Sequence, residues 1–128
     1  MTEPIKPLRP GRIKVRRDFL RVAKSGTKWV TPGLVMQVGI GPDTQNDGDM
    51  RVGFTVSKKV GNAVERNRVR RRLRAIADKI LPATGKPGRD YVVIGRKAAL
   101  KRSFADLTQD LLTAVAKADP DRRKQGHR

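Results

Sequence analysis

The sequence has 128 residues, enough for one domain and too few for two ordinary ones. Thirty Lys and Arg against twelve Asp and Glu give a formal net charge of +18, which favours a polyanionic partner such as a nucleic acid. Cysteine is absent, which excludes disulfide frameworks, cysteine-based zinc sites and thiol nucleophiles. No run of about 18 apolar residues occurs, so we expect a cytoplasmic protein with no membrane partner.

The first elements are an arm and a short helix. Residues 1–14 are predicted to form a flexible basic arm, because prolines recur there among basic side chains. A helix is predicted over residues 15–23, since apolar side chains follow helical spacing at Val15, Phe19 and Val22. Ser25-Gly26 is expected to end this helix.

Three strands are predicted. The first covers residues 34–40, whose apolar face is formed by Leu34, Met36, Val38 and Ile40. After a polar turn cluster at residues 41–50, residues 51–57 alternate between apolar and small or polar side chains, so one face of this strand is left open to a ligand. The third strand, residues 90–95, is almost continuously apolar and is expected to be central. Whether residues 28–30 form a further strand is left open.

Two longer helices complete the chain. One is predicted from residue 63 to residue 80 or 81, with Asn62 as its N-cap, Glu65 returning the capping hydrogen bond, and Pro82 ending it. The other begins after Ser103, and its predicted apolar face contains Phe104, Leu107, Leu111, Leu112 and Val115. Residues 15–118 then form a single RNA-binding domain, and residues 119–128 a polar tail.

The order helix, strand, strand, helix, strand, helix predicts an α+β fold, with one small sheet covered mainly on one face by helices. Residues 58–74 are the most informative stretch, because they contain eight cations and one acid, Glu65. Six of those cations are arginines within nine residues, and their mutual repulsion weakens a helix unless an anion is bound.

The periodicity of this helix separates its apolar and cationic sides. Its apolar stripe contains Val69, Leu73, Ile76 and Ile80. The opposite side contains Asn67, Arg70, Arg71 and Arg74, with Arg66 at one margin of the stripe and Arg68 and Arg72 at the other. A solvated polar face would normally mix charges of both signs. Guanidinium groups bind phosphate oxygens in pairs and stack on bases, so the cluster predicts nucleic-acid binding without choosing between RNA and DNA.

A resemblance to a known family favours RNA over DNA. The chain resembles the bacterial ribonuclease P protein subunit along an ungapped stretch whose centre is the triplet Arg66-Asn67-Arg68. The full stretch reads Arg51-Val52-Gly53-Phe54-Thr55-Val56-Ser57-Lys58-Lys59-Val60-Gly61-Asn62-Ala63-Val64-Glu65-Arg66-Asn67-Arg68-Val69-Arg70-Arg71-Arg72-Leu73-Arg74. Weaker likeness extends over most of the remaining chain, including Arg17-Asp18-Phe19 and the strand that begins at Tyr91.

The resemblance implies a fold and two RNA surfaces. The fold is a small α/β sandwich with one mixed sheet, order αββαβα, and a left-handed βαβ crossover, similar to a domain of a small-subunit ribosomal protein. The implied surface for the catalytic RNA contains Lys58, Lys59, Arg66, Asn67, Arg68, Arg70, Arg71 and Arg74. The implied cleft for the 5′ leader of precursor tRNA contains Arg16, Arg17, Phe19, Thr55 and Ser57. Phe19 is equally compatible with base stacking and with a core contact.

No residue pattern in this sequence predicts a catalytic acid–base pair, a nucleophile or a metal site. The resemblance assigns hydrolysis of the phosphodiester bond to the RNA subunit, which uses Mg²⁺, and makes this chain its protein cofactor. The implied partners are ribonuclease P RNA and precursor tRNA, and no obligate protein partner is inferred. A ribosomal RNA-binding protein and an architectural DNA-binding protein remain the alternatives, since either would share the size and charge.

Overall fold

The computed structural model describes residues 10–40 and 50–120. Most of the predicted arm, the turn cluster except Met50, and the tail beyond Pro120 lie outside the described residues. The elements in chain order are β1 (Gly11–Arg12), α1 (Arg16–Ser25), β2 (Thr27–Val30), β3 (Leu34–Ile40), β4 (Arg51–Thr55), α2 (Ala63–Thr84), β5 (Arg89–Gly95), a 3₁₀ helix (Lys97–Leu100) and α3 (Phe104–Ala118).

The strands form one mixed five-stranded sheet in the order β1-β4-β5-β3-β2. The pairs β1–β4 and β4–β5 are parallel, whereas β5–β3 and β3–β2 are antiparallel. β5 is the central strand, and Tyr91, Val92 and Val93 in it are buried, as their continuous apolar run predicts. The predicted α+β class with a single mixed sheet is confirmed.

The two faces of the sheet are covered to different extents. α2 and α3 pack on one face and form the main core with side chains such as Met36, Leu73 and Leu111. On the other face α1 contributes Val22 and the half-buried Phe19 to a small second cluster with Ile13 and Val92. Because α1 has only 10 residues, it leaves part of this face uncovered.

The start of the domain differs from the prediction. Gly11 donates its backbone N–H to the carbonyl of Met50 at 2.8 Å, and Ile13 donates to Val52 at 3.0 Å. The side chain of Ile13 is buried. These residues therefore belong to the edge of the sheet rather than to the predicted arm, because backbone hydrogen bonds to β4 and the burial of Ile13 hold them there.

The elements also differ from the predicted six. β1 was missed because two residues carry no periodic pattern, and β2 forms where the sequence left a strand open. The predicted end of α2 at Pro82 is wrong, since the helix continues to Thr84. A proline removes only its own donor, and the last turn is retained by hydrogen bonds to the carbonyls of Ile80 at 2.9 Å and Leu81 at 2.7 Å.

Four side chains predicted on apolar faces are exposed instead. Val15 is the N-cap residue before α1. Ile40 lies at the end of β3, Phe104 is the first residue of α3, and Leu112 lies at the margin of its face. A periodic pattern places residues on one side of an element but does not show how far the neighbouring layer extends. Among the described helices, none combines the length and the apolar character that crossing a bilayer requires.

Candidate nucleic-acid interface

The start of α2 is determined by local hydrogen bonds. Asn62 accepts from the backbone N–H of Glu65 at 2.8 Å, and the Glu65 carboxylate accepts from the N–H of Asn62 at 2.9 Å. This confirms the predicted capping box. It also engages the one acidic side chain of residues 58–74 at the helix start, where a negative charge is favourable. The next acidic residue of α2 is Asp78, one turn beyond Arg74, so the stretch from Arg66 to Arg74 contains no acid.

The apolar stripe of α2 faces the sheet as predicted. Val69, Leu73, Ile76 and Ile80 are all buried in the main core. Because α2 is fixed on this side, its cationic side points away from the sheet. Asn67, Arg70, Arg71 and Arg74 lie together and, with Val64, line a shallow depression of about 480 Å³. The structure thus brings together four of the residues predicted to bind the catalytic RNA, and their role there stays a prediction.

The arginines of α2 do not all have the same environment. Arg72 donates to the carbonyl oxygens of Ala99 at 2.6 Å and Leu100 at 3.1 Å, and also to that of Arg102. Its guanidinium therefore joins α2 to the chain before α3 and is a structural group. Arg68 and Arg71, in contrast, are exposed to solvent.

Two of the remaining arginines are held by nearby residues, one in the turn before α2 and one on α2 itself. The guanidinium of Arg66 donates to the carbonyl of Gly61 at 2.9 Å, and Arg70 donates to the side-chain oxygen of Asn67 at 3.1 Å. Each of these contacts leaves other guanidinium donors available and restricts the side chain, which lowers the entropy cost of binding a phosphate.

The turn before α2 adds two more cations. Lys58 and Lys59 are exposed in this turn, which is closed by a hydrogen bond from the N–H of Val60 to the carbonyl of Ser57 at 3.1 Å. The two ammonium groups are therefore close in sequence to the positive end of α2, a position that favours binding of a phosphate.

The second predicted surface lies on the opposite face of the sheet, beside α1. One edge of α1 is tied to the sheet, because Arg21 pairs with Asp90 and Asp18 pairs with Arg51 at 3.3 Å. With 3.6 residues per turn, the other edge presents the exposed side chains of Arg16, Leu20 and Ala23. That edge faces the uncovered part of the sheet, and the two together form a cleft.

The residues predicted for the cleft differ in their placement. Phe19 is half-buried with its ring against the backbone of Gly53, since a Cβ built on Gly53 would lie 2.5 Å from Cζ of Phe19. Thr55 and Ser57 are exposed at the end of β4. Arg17 is exposed on the outer side of α1. The structure therefore places Phe19 in the floor of the cleft, where α1 contacts β4.

The structure also identifies interface residues that the sequence did not indicate. Arg12 lies over the ring of Phe54 at 5.7 Å, and Arg74 of α2 lies over the same ring at 5.9 Å. The surrounding depression, about 340 Å³, is lined by Arg12, Ile13, Lys14, Phe19, Val52, Gly53, Phe54, Arg70 and Arg74. Basic side chains therefore continue around the β1–β4 edge of the sheet from the cleft to α2. The alternation Arg12-Ile13-Lys14 was the available signal.

Among the residues that the structure describes, acidic side chains do not gather at either surface. Asp90 pairs with Arg21 and Arg51, and Asp110 pairs with Arg102 at 2.8 Å. Within residues 10–40 and 50–120, no three His, Cys, Asp or Glu side chains come close enough together to hold a metal ion. The cationic surfaces are therefore largely uncompensated, and a polyanion is the ligand that suits them.

The fold and these surfaces define a class of protein. This is a small basic α+β domain with an arginine-covered helix on one side of its sheet and a basic cleft on the other, which is the type of surface that binds nucleic acid.

Comparison with known proteins identifies the family. The family model described as Ribonuclease P matches residues 9–119, and the chain belongs to this family. It is 56% identical over 106 residues to the ribonuclease P protein component of Paramagnetospirillum magneticum, covering 81% of this chain and 79% of that protein.

Solved structures of RNase P proteins are also similar to this chain. The RNase P protein of Staphylococcus aureus is similar with a TM-score of 0.70 and 30% identity, over 84% of this chain and 94% of that one. The RNase P protein from Thermotoga maritima is similar with a TM-score of 0.71 and 28% identity, over 84% and 97% of the two chains. The family match favours the ribonuclease P hypothesis over the ribosomal and DNA-binding alternatives.

Proposed function

We propose that this chain binds ribonuclease P RNA through α2 and the 5′ leader of precursor tRNA through the cleft beside α1. The RNA subunit then hydrolyses the phosphodiester bond that releases the mature 5′ end of the tRNA. The observation that carries this proposal is the uncompensated arginine surface of α2 in a chain of the ribonuclease P family. A cytoplasmic location is part of the proposal.

The proposed contact with the catalytic RNA depends on charge and on donor geometry. The surface contains Lys58, Lys59, Arg66, Asn67, Arg68, Arg70, Arg71 and Arg74. Each guanidinium can donate two parallel hydrogen bonds to one phosphate, and each phosphate that is neutralised releases counterions. Binding should therefore be strong at low salt and should weaken steeply as the salt concentration rises.

The proposed contact with the leader depends on an unpaired strand. Arg16 on α1 can neutralise phosphates at the cleft, while Thr55 and Ser57 offer hydroxyl groups at the end of β4. The exposed part of the Phe19 ring can support one base. Ala23, on the cleft edge of α1, supplies no aromatic ring, so stacking depends on Phe19 and polar contacts contribute the rest.

Mg²⁺ is assigned to the RNA subunit in this proposal. Asp18 and Asp90 near α1 and Asp110 within α3 are paired with arginines, and Glu65 is engaged in the helix cap. These residues do not fit a metal site, and no step is assigned to metal on this chain. Its own contribution is to position the two RNA molecules and to neutralise their charge, so that they approach each other.

A reconstitution assay tests the proposal. Ribonuclease P RNA is given precursor tRNA at a Mg²⁺ concentration at which the RNA alone is slow, with and without this chain. We expect the chain to restore cleavage, and we expect Arg66→Ala combined with Arg68→Ala to weaken its affinity for the RNA by about tenfold or more. Cleavage by the chain in the absence of RNA would refute the assignment of catalysis. Failure to bind the RNA would refute the proposal as a whole.

A further inference from the structure

Phe104 is an aromatic side chain that is not packed into the main core. It is the first residue of α3, and 44% of it is exposed although the sequence pattern places it on the apolar face. The half-buried ring of Phe54 has two guanidinium groups over it. No cationic group lies over the Phe104 ring in this way within residues 10–40 and 50–120. Its face is therefore available to a ligand.

The surroundings of Phe104 are cationic. Together with Ala75 and three arginines of α2, it lines a surface depression of about 390 Å³, whose residues are Arg68, Arg71, Arg72, Ala75 and Phe104. This volume exceeds by about an order of magnitude the roughly 30 Å³ that one water molecule occupies. The small side chain of Ala75 leaves the space open, and Arg68 and Arg71 are exposed beside it.

The parts of this depression are held in place before any ligand binds. Arg72 donates to three carbonyl oxygens of residues 99–102, which ties the chain before α3 to α2. Ser103 then caps α3 by accepting from the N–H of Asp106 at 3.0 Å. Because both ends of this connection are fixed, the ring of Phe104 and the α2 arginines keep their relative position, and binding costs less entropy.

We propose that Phe104, with Arg68 and Arg71, forms a stacking site for one unpaired base of the catalytic RNA. An aromatic face accepts any base, and the adjacent guanidinium groups bind the phosphates that flank it. A paired base has both faces occupied by its neighbours, so the site selects a nucleotide that is out of the helix stack. The site adjoins the phosphate-binding surface of α2 and shares Arg68 and Arg71 with it, and the ring of Phe104 adds a stacking contact that charge alone does not supply.

The location of the site selects the RNA subunit over the tRNA leader. Phe104 lies in the layer of α2 and α3, whereas the cleft beside α1 is on the opposite face of the sheet. A leader held in the cleft would have to pass around the sheet to reach Phe104. This inference rests on the proposed function, since it takes α2 to face the catalytic RNA.

The test measures affinity for ribonuclease P RNA with four proteins: the unaltered chain, Phe104→Ala, Phe104→Leu and Phe104→Trp. We expect Phe104→Ala and Phe104→Leu to weaken binding by about 5- to 150-fold, while Phe104→Trp binds as well as or better than Phe104. The dependence of affinity on salt should not change, because no phosphate contact is removed. Chemical probing should find one unpaired base that the chain protects and Phe104→Ala does not.

A matched control removes a different exposed aromatic side chain. Trp29 is 39% exposed in β2 and lies at the far edge of the sheet from β4. Trp29→Leu should leave RNA affinity unchanged, and melting curves of all variants establish that they are folded. If Phe104→Leu binds like the unaltered chain, or if the salt dependence falls in Phe104→Ala, the stacking site is refuted. If the unaltered chain itself fails to bind the RNA, the proposed function fails instead.

Discussion

Arg51 binds Asp90 through two parallel hydrogen bonds, from Nε to one carboxylate oxygen at 2.9 Å and from Nη2 to the other at 2.7 Å. These hydrogen bonds raise the pKa of the Arg51 guanidinium, which stays fully charged. Asp90 is only 1% exposed and also pairs with Arg21 of α1. One buried carboxylate therefore holds α1 against the sheet and sets the position of the cleft wall.

Asp90→Asn is expected to lower the free energy of unfolding by about 2 kcal/mol, because two guanidinium groups lose their common anion. Both arginines are about one-third exposed, so water limits the loss. Urea unfolding measures it. Asp78→Asn, an exposed change on α2, is the control and should have little effect. A loss in the control as large as that in Asp90→Asn would contradict this role for the pair.

Gly53→Ala tests the contact between β4 and α1. A Cβ at Gly53 would lie 2.5 Å from Cζ of Phe19 and 3.2 Å from Cβ of Ile13, so the ring must move. We expect a destabilisation of about 1–3 kcal/mol, measured by thermal melting. Gly11→Ala is the matched control at the same sheet edge, since its nearest neighbour would be 3.6 Å away. Equal melting temperatures for the two variants would show that the Phe19 ring is not confined by Gly53.

Phe19→Ala tests the proposed leader cleft. Removing the ring should impair cleavage of precursor tRNA with a long leader more than cleavage of one with almost no leader, because only the long leader reaches the cleft. The measurement is kcat/KM for both substrates with the reconstituted enzyme. An equal loss on both substrates would assign Phe19 to the core contact alone. Leu20 lies on the cleft edge of α1 and is 55% exposed, so Leu20→Ala is a second test of leader binding that should hardly destabilise the core.

Arg71 and Arg72 are adjacent in sequence and are expected to act differently. Arg71→Gln removes an exposed cation, so affinity for the RNA should fall and the slope of log affinity against log salt should decrease by roughly 0.9. Arg72→Gln leaves carbonyl oxygens of residues 99–102 without their donor, and should lower stability by about 1–3 kcal/mol. Titrations at several salt concentrations, with melting curves, separate the two effects. A loss of stability in Arg71→Gln, together with a reduced salt slope in Arg72→Gln, would contradict the division of roles on α2.

Tyr91 provides a pH-dependent test of the core. Burial raises the pKa of its phenol above 10.0, although the hydrogen bond that it accepts from the N–H of Lys86 at 2.9 Å acts in the opposite direction. The folded state favours the neutral phenol, so this contribution to stability is complete below pH 10 and is lost as the pH rises through the raised pKa. Tyr91 is the only tyrosine, so tyrosinate absorbance reports it alone.

In the folded protein the absorbance midpoint should lie above that of the urea-unfolded chain, which should titrate near pH 10. Tyr91→Phe is the control and should remove the signal. Identical midpoints in the folded and unfolded chains would show that the phenol is not buried in solution.

Much of this molecule could be predicted from interactions between residues that are close in sequence. The capping box of Asn62 and Glu65 involves groups three residues apart, and the stripe that includes Val69 and Leu73 repeats within one helix. Such features depend on helical geometry alone, so the order of residues predicts them directly. The ribonuclease P signature around Arg66 is likewise contiguous, which is why the family could be identified before any fold was known.

Only the tertiary structure showed which of several similar side chains are structural and which are exposed for binding. The separation of Arg72 from Arg71 depends on carbonyl groups about 28 residues further along the chain, and no local pattern shows that they meet. The exposure of Phe104 and the pairing of Gly11 with β4 depend in the same way on where another element ends. Contacts between distant segments follow from how the layers pack together, so only the folded chain reveals them.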